Sequence, residues 1–250
     1  MTPAARRTVK RLVPKHPLAI RWFHWINFPL LALMVWSGIR IYWANPVYRI
    51  GWGAHTLLAM KLPWAWYAKL HINNRLAQGM AWHFFLMWLF AFNGLLYVGY
   101  TLASGEWRLL VPGKGSLRHA LLTVLHDLHL RKEAPPAQKF NGAQQLAYTG
   151  IVLAAMGSLL TGLAIYKPVQ MGWLTALLGG YAQARFFHFW LTMGYVAFFL
   201  VHIAQVVRAG WNNFRAMVIG VEVVEEDLPA PAPAPTPVPA PLAAPVEEPA

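Results

Sequence analysis

Four stretches of the chain, at about residues 22–43, 78–100, 143–166 and 186–208, are apolar and almost free of charge. A helix needs roughly 20 such residues to cross a hydrocarbon core of about 30 Å. Lipid offers no partner for backbone N–H and C=O groups, so each segment must satisfy its own hydrogen bonds, which only a helix does at this length. The sequence therefore predicts an all-α, integral membrane four-helix bundle. Charged residues make up only 12% of the chain, half the roughly 25% of a soluble domain, which agrees. The first apolar segment is too long for a signal-peptide core and no small-residue cleavage pattern follows it, so it is expected to stay as a span.

Charge then orients the bundle. Arg6, Arg7, Lys10, Arg11, Lys15 and Arg21 precede the first span. Arg108, Lys114, Arg118, Arg131, Lys132 and Lys139 lie in the second connection, and Arg208 and Arg215 follow the last span. The other side carries only Arg40, Arg49, Lys61, Lys69, Arg75, Lys167 and Arg185. The richer side is expected to be cytoplasmic, with both termini inside. This asymmetry accounts for the net charge of +12 without a nucleic-acid partner. Residues 1–20 should form a basic cytoplasmic segment lying against anionic lipid, and 21–220 the membrane domain. Residues 221–250 hold nine of the chain's 19 prolines and are expected to be a disordered tail rich in Pro and Ala.

The chain has no cysteine. That excludes disulfides, thiolate catalysis, iron–sulfur clusters and covalent haem attachment, so redox chemistry here requires a cofactor bound without covalent links to the chain. Histidine is the remaining strong ligand. His188 and His202 lie in the last span, which reads RFFHFWLTMGYVAFFLVHIAQVVR over 185–208. Fourteen residues apart, they fall within roughly 40° of one helix face and about 21 Å apart along it. Two more histidines lie in spans: His24, in RWFHW at the start of the first, and His83, in AWHFF of the second.

Depth pairs these four. The first span runs outward and the fourth inward, so His24 and His202 are both near the inner face, while His83 and His188 are near the outer face. Two bis-histidine haems, stacked across the membrane, fit the set, because neutral imidazole ligates haem iron and helix bundles build cofactor sites from facing side chains. With both axial positions filled, the iron has no open site and can only transfer electrons. Each ring taken singly could instead hydrogen-bond a neighbouring helix or, for His24, sit at the interface. Two other readings of the whole set are a proton-relaying transporter without haem, against which the absence of Asp and Glu from the spans counts, and a membrane anchor. Arg21 and Arg185 could pair with haem propionates or position the interface. His16, His55, His71, His119, His126 and His129 lie outside the spans. His126 and His129 flank Asp127 but have no clear third ligand, so a surface helix is expected there. Ser37-Gly38 and the small residues of the third span, among them Ser158, Thr161 and Gly162, read as packing surfaces. The connection over 44–75, rich in tryptophan, reads as amphipathic segments lying on the outer membrane surface.

The sequence resembles the bacterial cytochrome b561 and nickel-hydrogenase type b cytochromes over roughly residues 16–218. The resemblance is carried by RWFHW, the histidine of AWHFF, KFNGAQQLAYTG entering the third span, and the fourth span with its 14-residue histidine spacing. That family includes the membrane subunits of nickel-iron hydrogenases, formate dehydrogenases and thiosulfate reductases. It implies two non-covalent haem b groups ligated by His24, His83, His188 and His202, and electron passage between a periplasmic redox enzyme subunit and the quinone pool. It also implies a quinone site near His202 and the loop entering the third span. The tracts GWNNFRAMVIG and TGLAIYKP are most similar to members serving a molybdopterin oxidoreductase. By this likeness the chain is an electron-transfer subunit and not the catalytic one.

Overall fold

The computed structural model describes residues 8–44, 47–52, 55–61, 64–69, 71, 75–133 and 140–227. In chain order the elements are β1 (Thr8–Pro14), α1 (Leu18–Tyr42), β2 (Val47–Trp52), β3 (His55–Lys61), α2 (Trp64–Lys69), α3 (Leu76–Ser104), α4 (Trp107–Leu110), α5 (Ser116–Asp127), α6 (Gly142–Tyr166), α7 (Gly172–Leu177), α8 (Tyr181–Ile219) and β4 (Val221–Asp227). The helices α1, α3, α6 and α8 are each long and apolar enough to cross a membrane. Large side chains such as Phe92, Leu95, Leu200 and Val207 are exposed, as a surface solvated by lipid tails requires.

The four spans form two tight pairs. α1 packs along α3, and α6 along α8, while the two pairs touch one another sparsely. In the first pair the backbones are drawn close at Gly79, where a Cβ would meet Arg40 Cβ at 2.8 Å. Asn93, buried in α3, donates from Nδ2 to the Phe23 carbonyl of α1 at 3.3 Å, so this polar group in the spans is satisfied across the pair. α8 continues well past the apolar stretch and breaks at Gly210, with φ 78° and ψ 177°.

Two small layers cap the ends. At one end β1 pairs antiparallel with β4, Thr8 opposite Asp227 and Pro14 opposite Val221. Lys10, Arg11 and Lys15 meet Glu225, Glu226 and Glu222 across or beside this ribbon. Residues 221–227, expected to open a disordered tail, are therefore a strand, and the segment expected to lie along lipid is its partner. The reason is complementarity: a basic strand and an acidic one find each other more readily than either finds lipid or water. Residues 1–7 and 228–250, including the prolines of the tail, lie outside the described residues. The ribbon fixes both described ends of the chain on one side of the bundle.

At the other end the connection after α1 forms a β2–β3 hairpin with a register shift at Ile50/Gly51, where amphipathic surface segments were expected. Its Tyr48 stacks on Tyr42 with ring centroids 4.4 Å apart and packs on Phe189 of α8 at 4.8 Å. Arg185 lies over the same ring at 4.7 Å, and Gln183 donates to the Gly51 carbonyl. Burial pushes the Tyr48 phenol up to about 12. Tyr48 thus pins the hairpin to the start of α8.

The second connection is latched to α6 by the residues of the NGAQQ tract. Asn141 and Gln144 form a reciprocal capping box, which satisfies two donors left open at a helix start. Ser116 donates to Gln145 Oε1 at 2.7 Å, and Thr149 donates to the Leu110 carbonyl at 3.0 Å. Arg208 and Gln205 of α8 both bond Asp127 at the end of α5. Residues 134–139, which join this layer to α6, lie outside the described residues.

Candidate functional site

The sparse seam between the two helix pairs is bridged by imidazoles. His24 of α1 faces His202 of α8 with ring centroids 6.1 Å apart. His83 of α3 faces His188 of α8 at 6.2 Å. All four histidines singled out in the spans are therefore brought together, in the two couples that depth predicts. Each couple joins one helix pair to the other, and α8 contributes to both. Two imidazoles on opposite sides of one metal, each bonded at about 2.0–2.1 Å, stand with their centroids a little over about 6 Å apart. The couples have that separation, so each can accept a metal between its rings.

The outer couple is held from behind. Ser37 Oγ donates to the Met34 carbonyl at 3.0 Å and lies 2.9 Å from His83 Nδ1. Thr161 Oγ1 donates to the Gly157 carbonyl at 2.7 Å and lies 2.9 Å from His188 Nδ1. Each hydroxyl has one hydrogen and spends it on its own helix, so toward the ring it accepts. A ring that donates from Nδ1 to such an oxygen leaves its Nε2 lone pair for a ligand. Ser37 is fully buried and Thr161 nearly so, which keeps water from competing for these bonds.

A glycine follows each hydroxyl, and only at Gly162 does the closeness of the histidine ring call for it. A Cβ on Gly38 would stand 3.5 Å from His83 Cε1, and one on Gly162 would stand 3.3 Å from His188 Cε1. The two distances predict different outcomes. Gly38→Ala places a methyl in ordinary contact and should leave the His83 environment unchanged. Gly162→Ala should push the His188 ring by a few tenths of an ångström, lowering occupancy of whatever that ring ligates several-fold, as read from bound chromophore per chain.

The inner couple is built differently. His24 Nδ1 is buried without a hydrogen-bond partner, and His202 stacks on Phe198 at 5.9 Å and 8°. Between the couples Phe28 stacks on Phe199 at 5.9 Å, so the seam between the two levels is lined by rings. Below His24 an open cleft is lined by Lys15, His16, Pro17, Ile20, Tyr97, Glu106, Leu109, Leu110 and Phe140 and encloses about 380 Å3, counting the part open to solvent. Ile20 stands one turn before His24 on the same helix face.

The other polar residues noted in the sequence take no part in the couples. Arg21 donates to the Val218 carbonyl at 3.0 Å, and Arg185 is engaged by Tyr48. His55 and His71 are exposed. His126 sits 3.9 Å from Asp127, and among the described residues no group of three potential metal ligands occurs. Sequence reasoning noted Ser37-Gly38, Thr161 and Gly162 only as packing surfaces and so missed their contact with the histidines. The signal that could have found them is a hydroxyl followed by glycine, at the depth of a histidine, in each of two spans that lack a histidine at that depth.

Comparison with known proteins agrees with this architecture. The family model described as prokaryotic cytochrome b561 matches residues 15–220. A relative from Azospira oryzae, designated "Putative protein-methionine-sulfoxide reductase subunit YedZ1", is 32% identical over 198 residues, 79% of this chain and 92% of its own length. No solved structure matches the chain. The family match spans all four membrane helices and both histidine couples and leaves the β1–β4 ribbon outside it, and the chain belongs to the prokaryotic cytochrome b561 family of membrane b-type cytochromes.

Proposed function

We propose that this chain is the membrane subunit that carries electrons between the quinone pool and a periplasmic oxidoreductase, through two haem b groups. His24 and His202 ligate the inner haem and His83 and His188 the outer. The observation that carries this reading is the pair of imidazole couples, each spanning the seam between two helix pairs at a separation suited to one metal. The haem b that the family implies would be held by these imidazoles and would supply one-electron cycling of its iron.

The chain's own residues do the rest. His188 and His202, on one rigid helix, fix the two levels about 21 Å apart. The sparse contact between helix pairs leaves the flat-walled, aromatic seam that a planar group needs, and Phe28 with Phe199 keeps water out of it. Quinol is read into the cleft beneath His24, where Ile20, Leu109, Leu110 and Phe140 suit an apolar ring. His16 and Glu106 stand at that cleft to take the two protons that quinol gives up with its two electrons. Fourteen bases on this side against seven on the other put it in the cytoplasm of an inner membrane, with both termini inside.

The partner is proposed to be a periplasmic molybdopterin-type oxidoreductase docking on the hairpin side. Its support is the likeness of GWNNFRAMVIG and TGLAIYKP to members serving such enzymes, together with the relative named as a reductase subunit. A reductase partner sets the electrons moving outward. The test is the spectrum of the purified chain. Two reducible b-type haems per chain, reduced by an added quinol, are expected; a chain purified without reducible haem would overturn the proposal and favour the anchor or the proton relay.

A further inference from the structure

We infer that Ser37 and Thr161 are positioning residues for the outer couple: their hydroxyls lock His83 and His188 as Nε2 ligands and hold the outer haem at a lower midpoint potential than it would otherwise have. The inference rests on the reading above that these two histidines ligate that haem.

Three observations converge on it. The first is duplication. Two helices that do not share a sequence pattern, α1 and α6, each present a hydroxyl residue followed by glycine, Ser37-Gly38 and Thr161-Gly162, to a histidine of the helix packed against them. The hydroxyl-to-Nδ1 distance is 2.9 Å in both. The second is direction. Each hydroxyl has a helix carbonyl in reach for its own hydrogen, an arrangement in which it accepts from the ring Nδ1–H. The third is contrast. His24 Nδ1, at the corresponding place in the inner couple, is buried with no hydrogen-bond partner among the described residues.

The chemical consequence follows from how an imidazole binds iron. An acceptor at Nδ1–H draws that hydrogen away from the ring and makes Nε2 a stronger donor. A stronger donor favours the more positive, ferric iron, and second-shell hydrogen bonds of this kind are among the levers that set haem potential. Two such bonds act on the outer couple and none acts on His24. The hydroxyls therefore separate the two haems in potential, with the outer one drawn down.

The experiment is a potentiometric titration of the full-length chain in detergent or nanodiscs, comparing the natural protein with Ser37→Ala, Thr161→Val and the double variant, and with Ser37→Thr and Thr161→Ser as conservative controls. Thr161→Val keeps the side chain's shape and removes only the hydroxyl. The expected result is that both haems remain, one midpoint rises stepwise through the single and double variants, the other stays in place, and the conservative variants titrate like the natural protein. The low-temperature EPR signal of one ferric haem should move with it. Loss of the outer haem from Thr161→Val with its recovery in Thr161→Ser also supports the assignment. Two haems with both midpoints unmoved in the double variant would overturn it, as would a shift or a haem loss that Thr161→Ser fails to restore. Failure of the underlying reading looks different: His83→Ala and His188→Ala would then leave haem content untouched.

Discussion

Replacing His188 with alanine is expected to yield a chain that folds in the membrane and carries one haem where the natural protein carries two. His83 would keep its bond to Ser37 and could supply one ligand, but among the described residues no further histidine lies in the seam at that level. No cysteine anchors the group covalently, so its retention depends on the two rings. Loss of a merely supporting contact at a metal site costs about 10–100-fold in affinity, and loss of a ligand should exceed that. His202→Ala should remove the other haem, and the double variant both. Electron delivery from quinol to an external acceptor should fall by at least about 100-fold in either single variant, because the surviving haem leaves a gap of roughly one membrane leaflet. His55→Ala and His71→Ala are the controls, since both rings are exposed. Haem per chain by pyridine haemochrome reads the outcome. Two haems retained in His188→Ala would sink the ligand assignment.

The spans were legible because the bilayer imposes length and polarity at once. The stretch at 143–166 is met almost residue for residue by α6, and 22–43 by α1. The fourth span was read short, as 186–208 against Tyr181–Ile219, because hydropathy sees only the part in lipid while the helix continues through polar turns beyond Gly210. The histidine couples were legible from two simple quantities, depth along a span and the 100° turn per residue. What escaped was long-range pairing. Lys10 and Arg11 on one side and Glu225 and Glu226 on the other are plain in the sequence, yet more than two hundred positions separate them and only the fold sets them opposite. The hairpin after α1 was missed for a related reason: Tyr48 is an interfacial aromatic by composition, and nothing local says that it will stack on Tyr42 and receive Arg185. Ser37 and Thr161 were visible as small residues, but a hydroxyl's partner lies on another helix.

The proposed outward direction and the tuning of the outer haem bear on one another. An electron leaving the negative inner face gains about 2.3 kcal/mol per 100 mV of membrane potential for a full crossing. An outer centre drawn to lower potential by Ser37 and Thr161 gives part of that gain back. The electron is then delivered at a potential closer to that of a reductant, which is what a reductase at the outer end would need.

Gly142→Ala is expected to detach the layer formed by α4 and α5 while leaving the haem sites filled. A Cβ at this position would stand 2.4 Å from the Ser116 carbonyl oxygen, 2.9 Å from the Ala120 nitrogen and 2.9 Å from His119 Cβ. Two of these atoms belong to the α5 backbone and cannot rotate aside, so α5 as a whole must move. Overpacking of this kind costs about 1–3 kcal/mol, and here it also pulls on the Ser116–Gln145 bond and the Thr149–Leu110 bond that hold the layer to α6. Gly150→Ala, on the same helix with nothing within 4 Å of the added atom, should be neutral and controls for helix propensity. Trypsin should cut the loop at Lys114, Arg118 or Arg131 several-fold faster in Gly142→Ala than in the natural chain. Haem content should not change, because all four imidazoles lie on α1, α3 and α8, none of which Gly142 touches. Quinol-driven reduction should nonetheless slow by about 10-fold, on the scale that misplaced groups remote from a reaction cost, since Leu109, Leu110 and Phe140 form one wall of the cleft beneath His24. That split, with full haem and slow entry of electrons, is what separates a cleft that receives quinol from a layer that serves only as cover. Unchanged reduction in a variant whose loop is cut faster would remove the cleft from the electron path.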